Sequence, residues 1–364
     1  MIRLFLRRAM AHFDGFLLGT LMFTMLVALF VLYSASGESM ERMVSQMVNI
    51  VVACSILWVF ANIPPQHLQR VAVPLYLLGV LLLIGVFLFG DVSKGARRWL
   101  NLGVMRIQPS ELMRIAMPMM LAWYFARRED SLRFSDYVIG AVMLAIPVAL
   151  IVKQPDLGTA LLVSASGFYV LFLAGLSWRL LIGLGVAVGA LIPLVWPFLH
   201  DYQRRRIEIL FDPYQDPLGA GYHTIQATIA LGSGGLAGKG WLHGTQAQLD
   251  FLPERHTDFI FAVFGEEFGL LGNLLLLTLF TVIIARGMLI AANAQNTFCR
   301  LLAGSITLTF FTYAFVNMGM VSGILPVVGV PLPLISYGGT SLVTLMIGFG
   351  ILMSIQTHKK LVGS

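Results

Sequence analysis

Ten apolar runs recur along the chain, at residues 16 to 33, 44 to 61, 71 to 90, 111 to 126, 136 to 152, 157 to 175, 180 to 199, 258 to 285, 299 to 324 and 341 to 356. At about 1.5 Å of rise per residue, a helix of this length matches the hydrocarbon thickness of a bilayer. With 58% hydrophobic and only 12% charged residues, the composition excludes an ordinary soluble domain. The expectation is an all-α integral membrane protein, a single polytopic domain over residues 1–364 with about ten transmembrane helices. A large outer loop, residues 200–257, falls between helices 7 and 8, and an irregular, re-entrant-like outer segment precedes helix 10.

The first run follows Arg3, Arg7 and Arg8. It imitates a secretory signal, but it is about twice the usual length and further spans follow, so it reads as retained. The positive flank places the N-terminus in the cytoplasm, and an even number of spans returns Lys359 and Lys360 to the same side. The formal net charge of +6 comes with no basic helix or aromatic-basic module, so it points to loop topology and anionic head groups and not to nucleic acid. Basic residues also gather in two outward loops, 91–110 and 200–257, against the insertion bias, which suggests an anionic ligand there. Cys54 and Cys299 are far apart, without metal-ligand spacing, and read as packing residues. Small-residue pairs such as Gly185/Gly189, Gly265/Gly269 and Gly319/Gly323 suit close helix packing in lipid.

The stretch Phe251 to Phe259, FLPERHTDF, carries the most chemistry. Asp258 stands where a polar loop gives way to an apolar run interrupted only by Glu266 and Glu267. The amides and dipole of a first helical turn favour an ionised carboxylate, so Asp258 is either a proton acceptor or a helix cap. On an ideal helix Glu266 stands about 80° and Glu267 about 180° around from it, and both read as buried network residues. The nearby GSGGLAGKG, Gly232 to Gly240, fails as a phosphate loop because Ser233 and Gly240 occupy the wrong places, and it reads as a flexible outer loop.

Three other constellations bear on function. Arg97, Arg98 and Trp99 precede Gln108-Pro109-Ser110-Glu111, where Pro109 suits the start of a helix carrying Glu111 and Arg114 on one face. An ion pair at a membrane edge is either structural glue or the lining of a wet cavity, and the neighbouring arginines favour the cavity. Lys153-Gln154-Pro155-Asp156 is a tight outward turn. From Asn317 to Ser341, Pro326, Pro331 and Pro333 with several glycines preclude a continuous helix, so the backbone must line a sheltered pocket.

The blocks NMGMVSGILPVVGVPLPLISYGGTS, FLPERHTDFIFAVFGEEFG and SKGARRWLNLG with QPSE resemble the hallmark motifs of the SEDS family (shape, elongation, division and sporulation), and the match runs from Tyr33-Ser34-Ala35-Ser36 to the last span. DYQRRR and DPLGAGYH resemble the branch that serves lateral wall elongation. The resemblance implies a multi-pass glycosyltransferase of the bacterial inner membrane, with its active site on the periplasmic side. Such an enzyme polymerises lipid II into β-1,4-linked strands, inverting the anomeric carbon and releasing a polyprenyl diphosphate. The family's essential Asp falls on Asp258, its Trp on Trp99 and its Glu on Glu111, while Arg114 stands where the family usually has Lys. Asp258 is then the candidate general base, with Glu111 and Arg114 beside it as catalytic candidates. Trp99, Arg98, Gln108, Lys153, Asp156, Arg206 and Ser336 are candidate substrate contacts. A divalent cation, magnesium or manganese, is expected at Asp258, and no organic cofactor. Expected partners are lipid II, a class B penicillin-binding transpeptidase, other elongation-complex proteins and membrane lipids. The competing classes are a lipid II flippase, which would need polar groups through its middle, and a non-catalytic scaffold, in which Asp258 would be replaceable.

Overall fold

The structure is a computed structural model that describes residues 13–358 except 94–95, 102–105, 199–200, 218, 250 and 253. Arg3, Arg7, Arg8, Lys359 and Lys360 lie outside the described residues. Helices α1 (Gly15–Ala35), α2 (Met40–Ala61) and α3 (Pro65–Phe89) lead into three short antiparallel strands, β1 (Asp91–Ser93), β2 (Ala96–Asn101) and β3 (Arg106–Ile107). Then come α4 (Pro109–Ala126), α5 (Phe134–Lys153), α6 (Leu157–Leu173) and α7 (Trp178–Val195). The 200–257 region folds as α8 (Asp201–Phe211), α9 (Ala220–Ser233) and a single turn, α10 (Thr245–Gln248). The chain closes with α11 (Ile260–Ala292), α12 (Thr297–Val321) and α13 (Gly339–Thr357). The fold is helical as expected, with the short strands an addition that alternation in the sequence did not signal.

Among the described residues seven helices, α1, α2, α3, α5, α11, α12 and α13, are long and apolar enough to cross a membrane. Large side chains such as Phe16, Phe30, Leu81, Phe87 and Leu274 are exposed on them, a quantity of apolar surface suited to lipid. Helix starts follow local chemistry. The carboxylate of Asp14 accepts from Leu17 N at 3.0 Å, Asn296 caps α12 through Cys299 N at 2.8 Å, and Pro65 and Pro109 occupy first turns where no amide partner is needed. Helix α11 continues beyond residue 285, and Arg286 there is neutralised by Asp14, its Nη2 and Nε lying 2.6 and 2.9 Å from Asp14 Oδ2.

Helix α12 is the central element, packed along α11, α6 and α4. Thr307 and Thr309 bond back to their own helix, to Ala303 O at 2.8 Å and Ser305 O at 2.7 Å, while Ser305 Oγ donates across to Ser166 O of α6 at 2.7 Å. Edge-to-face contacts of Phe310 with Phe280 and with Phe349, both at 5.4 Å, tie α11, α12 and α13 together. Gly185 and Gly189 meet nothing within 4 Å, so that small-residue pair packs against no described helix. The Val321 to Gly339 connection is irregular, as its prolines require, and includes Leu334 at φ 66°.

Candidate active site

Asp258 lies in a turn, residues 254–259, before the first turn of α11. The N-cap position belongs to Phe259, so Asp258 is not the helix cap that the sequence allowed. Three successive carbonyls of this turn are engaged from the C-terminal part of the chain. Tyr337 N donates to His256 O at 2.9 Å, Ser336 Oγ to Thr257 O at 2.6 Å, and Asn317 Nδ2 to Asp258 O at 2.8 Å. The same Asn317 amide reaches Val330 O at 2.7 Å. A Cβ built on Gly329, which has φ +71°, would stand 3.4 Å from Asp258 Oδ2, so the carboxylate lies against this loop. On the other side of the turn, His223 of α9 stacks on Phe259 with ring centroids 5.8 Å apart.

The loop also touches the start of α6. Asp156 caps that helix through Thr159 N at 3.2 Å and accepts from Thr159 Oγ1 at 2.9 Å and from Gln108 Nε2 at 3.2 Å. Arg98 approaches the same carboxylate, Nε to Oδ2 3.9 Å, and donates to Pro155 O at 2.8 Å. Arg114 donates to Glu111 at 2.6 Å and to Thr159 Oγ1 at 3.2 Å, and its guanidinium lies 5.2 Å from the centroid of the Tyr313 ring. Arg98, Gln108, Glu111, Arg114 and Asp156 thus form one network. Both arginines are already matched by carboxylates, which leaves Arg98, with 38% of its side chain exposed, as the one able to meet a further anion. Trp99 sits half-buried on β2 opposite Asp91, and Lys153 is exposed at the end of α5. Ser336 spends its hydroxyl on Thr257 O and on Leu332 N, which donates to it at 2.8 Å. The side chain of Arg206 lies outside the described residues.

From this network an apolar groove of about 870 Å³ runs between α2, α3, α4 and α13. Gln108, Glu111 and Thr344 line it at one end and Ile63 and His67 at the other, with Ile115, Met119, Val71 and Ile347 between. Such a lining suits a long hydrocarbon tail whose head group stays at the polar end.

A second polar centre lies deeper, where α11 breaks at Gly269 (φ 63°, ψ −158°). The segment Gly234 to Gly240 docks into the break: Lys239 N and Gly240 N donate to Glu266 O and Glu267 O at 3.0 Å, and Leu270 N and Leu271 N donate to Gly235 O and Leu236 O at 2.9 and 3.1 Å. The groups freed by the broken helix are satisfied by the loop. Gly238 at φ +80° must be glycine, since a Cβ there would stand 2.1 Å from Glu267 O. The sequence expectation of a flexible loop is therefore corrected. Glu266, fully buried, pairs with Lys239 Nζ at 2.7 Å, and Glu267 accepts from Ser34 of α1.

No group of three or more His, Cys, Asp or Glu side chains able to hold a metal ion occurs among the described residues. Asp258 is therefore not part of a cluster of that kind among the described residues. Sequence reasoning missed the role of Asn317, although it lies in the quoted proline-rich block, as well as Thr159 and Tyr313. A D-x-x-T capping pattern pointed to Thr159, while nothing local marks a tyrosine on an apolar helix.

Residues 10–361 match the family model FTSW_RODA_SPOVE, described as cell cycle protein. The chain is 54% identical over 351 residues to the peptidoglycan glycosyltransferase MrdB of Escherichia coli (strain K12), covering 96% of this chain and 95% of that protein. Among solved structures it is similar to one reported as the structural coordination of polymerization and crosslinking by a peptidoglycan synthase complex (TM-score 0.83, 32% identity, 94% of this chain and 97% of that one). It is also similar to the rod shape determining protein RodA of Thermus thermophilus (TM-score 0.72, 28% identity, 94% and 96%).

Proposed function

The chain belongs to the FtsW/RodA/SpoVE family of cell cycle proteins, and from that premise we propose that it is a peptidoglycan glycosyltransferase polymerising lipid II into β-1,4-linked glycan strands during lateral wall elongation. The observation that carries the reading is the apolar groove of about 870 Å³ whose polar end opens at the Glu111, Gln108 and Asp156 network. A polyprenyl tail fits the groove, and a diphosphate-sugar head then stands beside the basic residues.

In the proposed reaction Asp258 takes the proton of the acceptor sugar's 4-hydroxyl. That oxygen attacks the anomeric carbon of the donor from the face opposite the diphosphate, the carbon–oxygen bond to the diphosphate breaks, and the configuration inverts. Arg98 and Lys153, the more exposed cations of this end, offset the charge developing on the leaving diphosphate, with Trp99 beside them. Glu111 and Arg114 fix each other and, through Thr159, the start of α6. Ten helices, α1 to α7 and α11 to α13, cross the inner membrane in this reading, with both termini cytoplasmic and Asp258 on the periplasmic side. A class B transpeptidase partner is supported by the similarity to a complex that couples polymerization with crosslinking.

The mid-depth lining of the groove, Ile115, Met119 and Val71, offers nothing to a sugar head group in transit, which weighs against a flippase. The test is reconstitution of the full chain with its transpeptidase in vesicles carrying labelled lipid II. Glycan polymer without transbilayer movement above that of empty vesicles is expected, and movement without polymer would overturn the proposal.

A further inference from the structure

We infer that Asn317 and Ser336 are positioning residues that aim Asp258, holding the backbone of its turn instead of touching substrate. The inference rests on the proposed role of Asp258 as the base. Three consecutive carbonyls, those of His256, Thr257 and Asp258, each accept a hydrogen bond from the segment that begins at the end of α12 and runs to α13. Within the turn, Thr257 N and Phe259 N both donate to Glu254 O, at 3.0 and 3.3 Å, with Glu254 itself at φ 50°. That internal closure shapes the turn but does not anchor it to the bundle.

Anchoring comes from Asn317, which is fully buried on α12 and donates through one amide nitrogen to Asp258 O and to Val330 O. Its Oδ1 is buried and meets no donor among the described residues. An asparagine whose oxygen is idle is held at this place for its donors, and neither leucine nor aspartate of the same size supplies them. One amide therefore sets the spacing between the Asp258 turn and the loop against which the Asp258 carboxylate rests. Ser336 does the same from the other flank, its hydroxyl donating to Thr257 O while accepting from Leu332 N. Its proton is spent on the Thr257 carbonyl and one lone pair on the Leu332 amide, so the hydroxyl ties the turn to the loop.

Displacement of a catalytic group by about 1 Å costs on the order of a hundredfold in rate. Release of either anchor is therefore expected to lower kcat by roughly ten- to a hundredfold while KM for lipid II stays within about twofold. The experiment measures both constants for the complex with its transpeptidase, comparing wild type, Asn317→Asp, Ser336→Ala, Ser336→Thr and Asp258→Asn, with melting profiles for each. A selective loss of kcat in Asn317→Asp and Ser336→Ala, recovered in Ser336→Thr to within about threefold, supports positioning. Should Asn317→Asp fail to fold, the Ser336 pair gives the answer alone. Unchanged kcat in Ser336→Ala, or a rise in KM alone, overturns the inference. If Asp258→Asn retains activity, the fault lies in the assignment of the base itself.

Discussion

A Cβ on Gly158 would stand 2.9 Å from the carbonyl oxygen of Val328, so the first turn of α6 and the loop beside Asp258 are in direct backbone contact. Two parts of the site far apart in sequence, the Asp156 cap and the Asp258 turn, share this loop. Gly158→Ala must push backbone away from backbone, at a cost of about 1–3 kcal/mol for overpacking. A lower melting temperature with reduced polymerisation is expected, and a variant as stable and active as wild type would show that the two parts are independent.

Glu111 and Arg114 hold each other inside the bundle, with side chains 13% and 7% exposed. Arg114→Ala leaves a buried carboxylate without its partner, which costs about 3–5 kcal/mol. The double replacement by alanine is expected to cost less than the sum of the single ones, as read from a double-mutant cycle of melting in detergent. Arg114→Lys keeps the charge toward Glu111 but not the fork that also reaches Thr159, so its loss should be intermediate.

The loop docked into the α11 break depends on Gly238. Gly238→Ala, at φ +80° and against Glu267 O, should undock the loop. Hydrogen exchange at Leu270 and Leu271, whose amides bond Gly235 O and Leu236 O, reports this directly. Faster exchange at both amides is the expected result.

His223, stacked on Phe259, has its pKa lowered from 6.5 by burial, partly opposed by Glu254. The unfolded chain thus binds a proton more readily than the folded one. The stability this residue contributes is present above pH 6.5 and is lost as pH falls from there toward the depressed folded value. Melting curves across that window should be flatter for His223→Gln than for wild type.

Much of the architecture was legible because lipid imposes a simple rule: runs of apolar residues become helices, and three prolines at 326, 331 and 333 prevent one. The Glu111 and Arg114 pair was legible for the same local reason, a spacing of three residues on one helix. The α11 break was not, because Gly269 is tolerated inside a helix until a loop from elsewhere supplies the missing hydrogen bonds. Nor was the hold on Asp258, since Asn317 lies 59 residues away and Ser336 lies 79 from Thr257. By its local chemistry Asp258 was only a carboxylate at the edge of a span, a place that a capping residue also fills, and it was the family resemblance that singled it out.

The central claim is that Asp258 takes the acceptor's proton. Purified wild-type protein and Asp258→Asn, each in complex with the transpeptidase and matched for melting temperature and for lipid II binding, should be compared for polymerisation of labelled lipid II. Polymer from wild type and none from Asp258→Asn is the expected result, whereas normal strands from Asp258→Asn would contradict the account.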